Sequence, residues 1–236
     1  MPTGVRKALA AVAVALALPG AAWSQPGGTS IEQGKELYAE HCLSCHGPNG
    51  SGVTSTSHPP GALGIRGLGP PLRGVGAQAA DFYLTTGYMP LQSPYDQPRH
   101  TQSPFNEQEI GSLVAYVASF GKGPPIPGPQ PSSSQVSRGL QLFTEHCAGC
   151  HQVVAEGGYV PNAVAPPLNR ATAVQVAEAV RVGPYLMPKF PKSQISEDDL
   201  NAIVAYVQWA KHPDDRGGWS IGRIGPVPEG LVTWPS

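Results

Sequence analysis

The chain has 236 residues, room for two small domains or one large one, with a formal net charge of −1 and only 13% charged residues. No basic surplus supports nucleic-acid binding, and no strong charge of either sign supports electrostatic steering of a soluble partner. Gly and Pro number 29 and 27, a composition that overlaps disordered chains, but with so few charges repulsion is not its cause.

Residues 1–24 read as a secretory signal. Arg6 and Lys7 precede an apolar run from Ala8 to Leu18, too short to span a bilayer comfortably, and Pro19-Gly20 breaks it. Ala22-Trp23-Ser24 offers small residues for cleavage before Gln25, with an uncleaved anchor as the alternative. Either way the bulk of the chain is expected outside the cytoplasm. Without Arg6 and Lys7 the net charge goes from −1 to −3.

Residues 25–121 form a first module. Ser30 is placed to cap a helix running towards Cys42, with Ile31, Gly34 and Tyr38 on one face. Its end carries Cys42-Leu43-Ser44-Cys45-His46, a C-x-x-C-H motif. Asn106 and Glu109 open a second helix whose apolar positions are Ile110, Leu113, Val114 and Val117, with Gly121 as its stop. Residues 122–134 are a Pro-rich linker, expected to be extended and semi-rigid.

Residues 135–210 repeat the first module. Gly139, Phe143 and Glu145-His146 match Gly34, Tyr38 and Glu40-His41, and Cys147-Ala148-Gly149-Cys150-His151 repeats the motif. Pro166-Pro167-Leu168 echoes Pro70-Pro71-Leu72, and Ile203 to Val207 echoes Leu113 to Val117, with Ser196 and Asp199 at the helix start. Residues 211–236 are a Gly/Pro/Trp-rich tail without an apolar run long enough to cross a membrane.

All four cysteines belong to the two C-x-x-C-H motifs, the attachment signature of a c-type haem. Two cysteines at this spacing reach the two vinyl groups on one porphyrin edge, and the next residue, His, lies under the iron. Zinc modules place their pairs roughly 15–20 residues apart, unlike Cys42 and Cys147, and a thioredoxin-like pair does not explain two copies each followed by His. A haem also accounts for the composition, since it supplies core that side chains do not.

The expected cofactors are therefore two covalent haem c groups on Cys42, Cys45, Cys147 and Cys150, with His46 and His151 as axial iron ligands. Besides Met1 the chain has only Met89 and Met187, each before a proline and each between the Pro-Pro-Leu element and the last helix of its module. They are the expected sixth ligands. Gap-filling methionines and bis-His ligation are the rivals, but His58, His100 and His212 are not repeated, and His41 and His146 adjoin the first cysteines. His/Met ligation raises the potential and fills the iron, so the modules relay electrons and no residue is assigned a catalytic role. Arg73 and Arg170, after the Pro-Pro-Leu elements, could pair with haem propionates or be solvated.

Over residues 31–210 the chain resembles tandem class I cytochromes c, which implies an all-α fold of two modules, each a few helices and loops wrapped around a haem. More closely, it resembles the dihaem cytochrome c subunit of the actinobacterial type of cytochrome bc complex. That resemblance rests on Thr86-Gly87-Tyr88-Met89-Pro90-Leu91 with the Pro/Gln/Arg-rich insert to Phe105, on Gly123-Pro124-Pro125-Ile126-Pro127, and on the tail from Gly217 to Gly230. It implies cytochrome b and Rieske iron–sulfur subunits as partners, a terminal oxidase as electron acceptor, and a place on the outer face of the cytoplasmic membrane. Family members run on from such a tail into a membrane helix, whereas this sequence stops at Ser236. A missing anchor, anchoring by the N-terminal segment, and a soluble protein are then the three expectations. A soluble dihaem carrier and a dihaem enzyme such as a peroxidase are the competing functions.

Overall fold

The computed structural model describes residues 30–54 and 67–212. The signal segment, His58 and the tail beyond His212 lie outside the described residues. Among the described residues no helix is long and apolar enough to cross a membrane.

The first module is built from α1 (Ile31–His41), α2 (Leu43–His46), α3 (Gly76–Thr85) and α4 (Glu107–Ala118). Ser30 caps α1 by accepting from the Gln33 N–H, and Asn106 and Glu109 satisfy each other's backbone donors at the start of α4. Gly34 and Tyr38 are buried as the periodicity predicts, but Ile31 is 49% exposed, although the Ser30 N–H beside it donates to the Ser112 hydroxyl of α4 at 3.2 Å. The α4 helix stops at Ala118, before Gly121, where the Ser119 hydroxyl bonds back to the Tyr116 carbonyl.

The second module uses α5 (Val136–His146), α6 (Ala148–His151), α7 (Ala173–Val182) and α8 (Glu197–Ala210). Ser196 caps α8 by accepting from the Asp199 N–H. Among the described residues the architecture departs from a purely helical reading in one hairpin, besides an isolated antiparallel bridge between Val53 and Gly69. Strands β1 (Gly158–Val160) and β2 (Ala163–Ala165) form an antiparallel hairpin in which Tyr159 faces Val164. Both side chains are exposed, so the hairpin extends the loop after α6 and adds little to the core.

Each module has its own buried cluster. Tyr38, Leu84, Phe105 and Leu113 belong to the first, and Leu142, Phe143, Leu200 and Ile203 to the second. The close helix crossing explains the repeated glycines. A Cβ on Gly34 would collide with the Ser112 carbonyl, and one on Gly139 with the Ala202 carbonyl, so only glycine lets α1 lie on α4 and α5 on α8 at this distance. Tyr116 and Tyr206 pack at these crossings, against Tyr38 at 5.4 Å and Phe143 at 5.3 Å between ring centroids.

Helices α3 and α7 were not visible as helices in the sequence pattern, and they form the join between modules by packing on each other. The α7 helix has a full capping box at Thr172 and Gln175 and ends at Gly183 in the left-handed conformation. The linker runs extended along both modules. The Pro124 carbonyl accepts from the Gln78 N–H of α3, and the Gln130 N–H donates to Asn201 of α8 at 2.8 Å.

Candidate haem centres

In both motifs the first cysteine carbonyl accepts from the backbone N–H groups of the second cysteine and of the histidine. This single helical turn places residues i, i+3 and i+4 on one face, so the two sulfurs and the imidazole point the same way. No disulfide joins any of the four cysteines. Burial and the neighbouring second cysteine push Cys42 up to about 11 and Cys147 up to about 12, so neither is a thiolate at neutral pH. A catalytic C-x-x-C pair would show the opposite shift.

The histidines are oriented by an element the sequence showed only as an echo. His46 Nδ1 donates to the Pro70 carbonyl at 2.8 Å, and His151 Nδ1 donates to the Pro166 carbonyl at 3.1 Å. A carbonyl can only accept, so the proton sits on Nδ1 and Nε2 keeps its lone pair for a metal. Burial holds both imidazoles below the ordinary histidine value and so favours the neutral ligand form, with the bond to the proline carbonyl acting in the opposite direction. The repeated Pro-Pro-Leu thus supplies the acceptor that sets the ring.

The loop after each histidine is duplicated in backbone even where side chains differ. Gly47, Gly50 and Gly52 have positive φ, and so do Gln152, Ala155 and Gly157. The Gly52 and Gly157 N–H groups return to the carbonyls of His46 and His151. Tyr38 donates to the Gly47 carbonyl at 2.8 Å, while Tyr206 of the other helix donates to the Val153 carbonyl at 2.5 Å. Module two has Phe143 where module one has Tyr38, so the clasp has moved from the first helix to the last. Tyr38→Phe and Tyr206→Phe should each lower stability by about 1 kcal/mol, the typical net value of one hydrogen bond. Thermal melts of the two variants check this.

Cys42, Cys45, His46 and Met89 line one cavity of about 550 Å³, with apolar walls that include Leu68, Val75 and Phe105. Leu91, Pro94 and Pro98 of the insert after Met89 close one side. Thiols at one edge, an imidazole with a free lone pair, a thioether and an apolar wall fit a covalent haem. In the second module Cys147 belongs to the buried cluster, Met187 packs against it, and His151 is buried, whereas Cys150 is exposed. The Met89–Pro90 peptide is cis.

The first cavity also receives Arg181, Val182, Tyr185 and Lys189 from the second module. No local pattern could have flagged them, because they arrive through the packing of α7 on α3. Arg73 and Arg170 are exposed, and Arg73 donates to the Asn49 carbonyl at 3.5 Å. The His41 ring packs 5.2 Å from Phe105, and His146 lies 6.0 Å from Phe190.

The family model described as cytochrome c matches residues 31–121, and that of cytochrome c oxidase, cbb3-type, subunit III matches residues 134–207. The fold is thus two cytochrome c domains in tandem, and such domains carry covalently bound haem c. The cytochrome bc1 complex cytochrome c subunit of Corynebacterium diphtheriae is 32% identical over 222 residues, covering 86% of this chain and 75% of the relative. The subunit of the same name from Mycobacterium tuberculosis strain H37Rv is 34% identical over 213 residues, covering 86% and 72%. The cbb3-type cytochrome c oxidase subunit CcoP of Azospirillum sp. strain B510 is more distant, at 24% over 202 residues, covering 76% and 62%. The chain belongs to the family of the cytochrome bc1 complex cytochrome c subunit.

Proposed function

We propose that the chain is a two-haem electron relay in a respiratory bc complex, taking electrons that leave quinol through a Rieske centre and passing them towards a terminal oxidase. Bound haem supplies a one-electron iron couple. The chain supplies everything else. The cysteine pairs 42/45 and 147/150 tether each group, and His46 and His151 present Nε2 with their tautomer held by Pro70 and Pro166. Met89 and Met187 are the proposed opposite ligands, the first being already on the wall of the 550 Å³ cavity. The observation that carries this reading is the repetition. The same histidine–proline arrangement occurs twice, in modules packed on one another through α3 and α7.

Residues 25–121 and 135–210 are the proposed electron-carrying domains, joined by linker 122–134, with residues 1–24 directing export and 211–236 as the tail. The proposed partners are cytochrome b and a Rieske iron–sulfur subunit, on the outer face of the cytoplasmic membrane. Affinity purification of the tagged native chain from solubilised membranes tests this. Co-recovery of cytochrome b and an iron–sulfur protein is expected, and recovery only as a free protein of the exported fraction would sink the proposal. The match of residues 134–207 to an oxidase subunit favours a second reading, a c-type subunit of an oxidase. Recovery with a copper–haem oxidase and no Rieske protein would select it.

Met89→Ala and Met187→Ala should each remove the weak red absorption of methionine–iron ligation at one haem and lower that haem's potential. The drop should be a sizeable part of the roughly 0.8 V range that axial ligands span. Redox titration of the two variants reads both effects.

A further inference from the structure

We propose that Asp81 and Glu178 share one proton across the face where α3 of the first module meets α7 of the second, and that this proton holds the two modules together. This does not rest on the electron-relay reading. Glu178 is fully buried, and neither carboxylate oxygen has a donor. Two ionised carboxylates in this position would both be acceptors with nothing between them. A single proton turns the contact into an O–H···O⁻ bond, and bulk water is its source.

Among the described residues no neighbouring cation takes over that role. Burial is the largest influence on Glu178, followed by the charge of Asp81 and a hydrogen bond with it, and together they push Glu178 up to about 9. Asp81 is half-buried and raised for the same reason, with its bond to Glu178 acting in the opposite direction. The proton therefore sits on Glu178 and Asp81 accepts. On α7, Arg181 donates to the Phe190 and Ile195 carbonyls and to Glu197. On α3, Tyr83 is raised by burial and meets the Tyr185 backbone. On α8, Glu197 pairs with Arg181 and Lys192, and Asp199 with Arg138. On α4, Glu109 is engaged in its capping box, and Glu107 sits beside it in the first turn. Lys122 and Lys189 are exposed.

The sign follows from linkage. Between the ordinary glutamate value of 4.5 and about 9, the docked protein keeps a proton that the separated or unfolded chain releases. Docking is therefore strongest at low pH and weakens by up to about tenfold per pH unit across that window. Above about 9 the proton leaves, and two buried like charges face each other across the join.

The test uses the intact dihaem protein and two readouts. Infrared spectra of wild type at neutral pH should contain a protonated-carboxyl band that disappears near the upper end of the window and is missing in Glu178→Gln. Small-angle scattering from pH 6 to 10 should show wild type expanding at high pH while Glu178→Gln, which keeps a donor but cannot ionise, stays compact. Asp81→Asn, on the more exposed partner, removes the second charge and should also stay compact. It serves as the independent variant if Glu178→Gln fails to fold. The proposal is overturned if wild type lacks the band, stays compact at pH 10, or expands at the same pH as either variant. None of these outcomes bears on which partners the protein transfers electrons with.

Discussion

The Cys147→Ala/Cys150→Ala variant is expected to leave the cell with one haem where wild type has two, and with its second module unfolded. Both sulfurs lie on the face of α6 that also presents His151, and Cys147 is itself part of the second buried cluster. Without the tethers, His151 and Met187 would have to hold the group from solution. A tether makes that capture intramolecular, an advantage of several orders of magnitude in effective concentration. The module is poorly placed to compensate. Its cluster rests on three helices, α5, α7 and α8, with loops and a hairpin of two three-residue strands around them. Intact mass should fall by one haem, and the melt should lose one transition while the first module, with its separate core, keeps its own. A product of full two-haem mass with the remaining cysteines unmodified would disprove the assignment of the motifs.

Gly139→Ala should be the most damaging single-methyl change. Two effects compete. Alanine is favoured over glycine inside a helix by roughly 0.5–1 kcal/mol. Against it, the new Cβ runs into the Ala202 carbonyl and the Tyr206 Cβ, both fixed parts of α8. Overpacking typically costs 1–3 kcal/mol when side chains can rotate away, and here a backbone must move, so the upper end applies. The net loss should be about 2 kcal/mol, or a fall of roughly 10 °C in the midpoint for a module of this size. Gly34→Ala, facing the Ser112 carbonyl, should act likewise on the first module, while Gly128→Ala, with open space around it, should change nothing measurable. Differential scanning calorimetry of the three variants separates these outcomes. If Gly139→Ala melted like Gly128→Ala, the close approach of α5 to α8 would be refuted.

What could be read from residues alone was whatever is encoded within a few positions of itself. The C-x-x-C-H spacing implies its chemistry because sulfurs and imidazole must share one helical turn. Ser30, Asn106 and Ser196 announce helix starts because a cap bonds to a backbone donor three residues on. The duplication needed only the chain compared with itself. Packing decided the rest. Pro70 lies 24 residues from the imidazole it orients, and Pro166 lies 15 from its own. Gln152 and Ala155 adopt the positive φ that Gly47 and Gly50 adopt in the first module, since the surrounding loop imposes it whatever the side chain. Ile31 fits the apolar stripe of α1 and still faces solvent, and Glu178 looks like a surface charge and lies wholly inside. Periodicity shows that a face is apolar, but the partner that covers it, and the charge trapped when it does, are set only when distant segments meet.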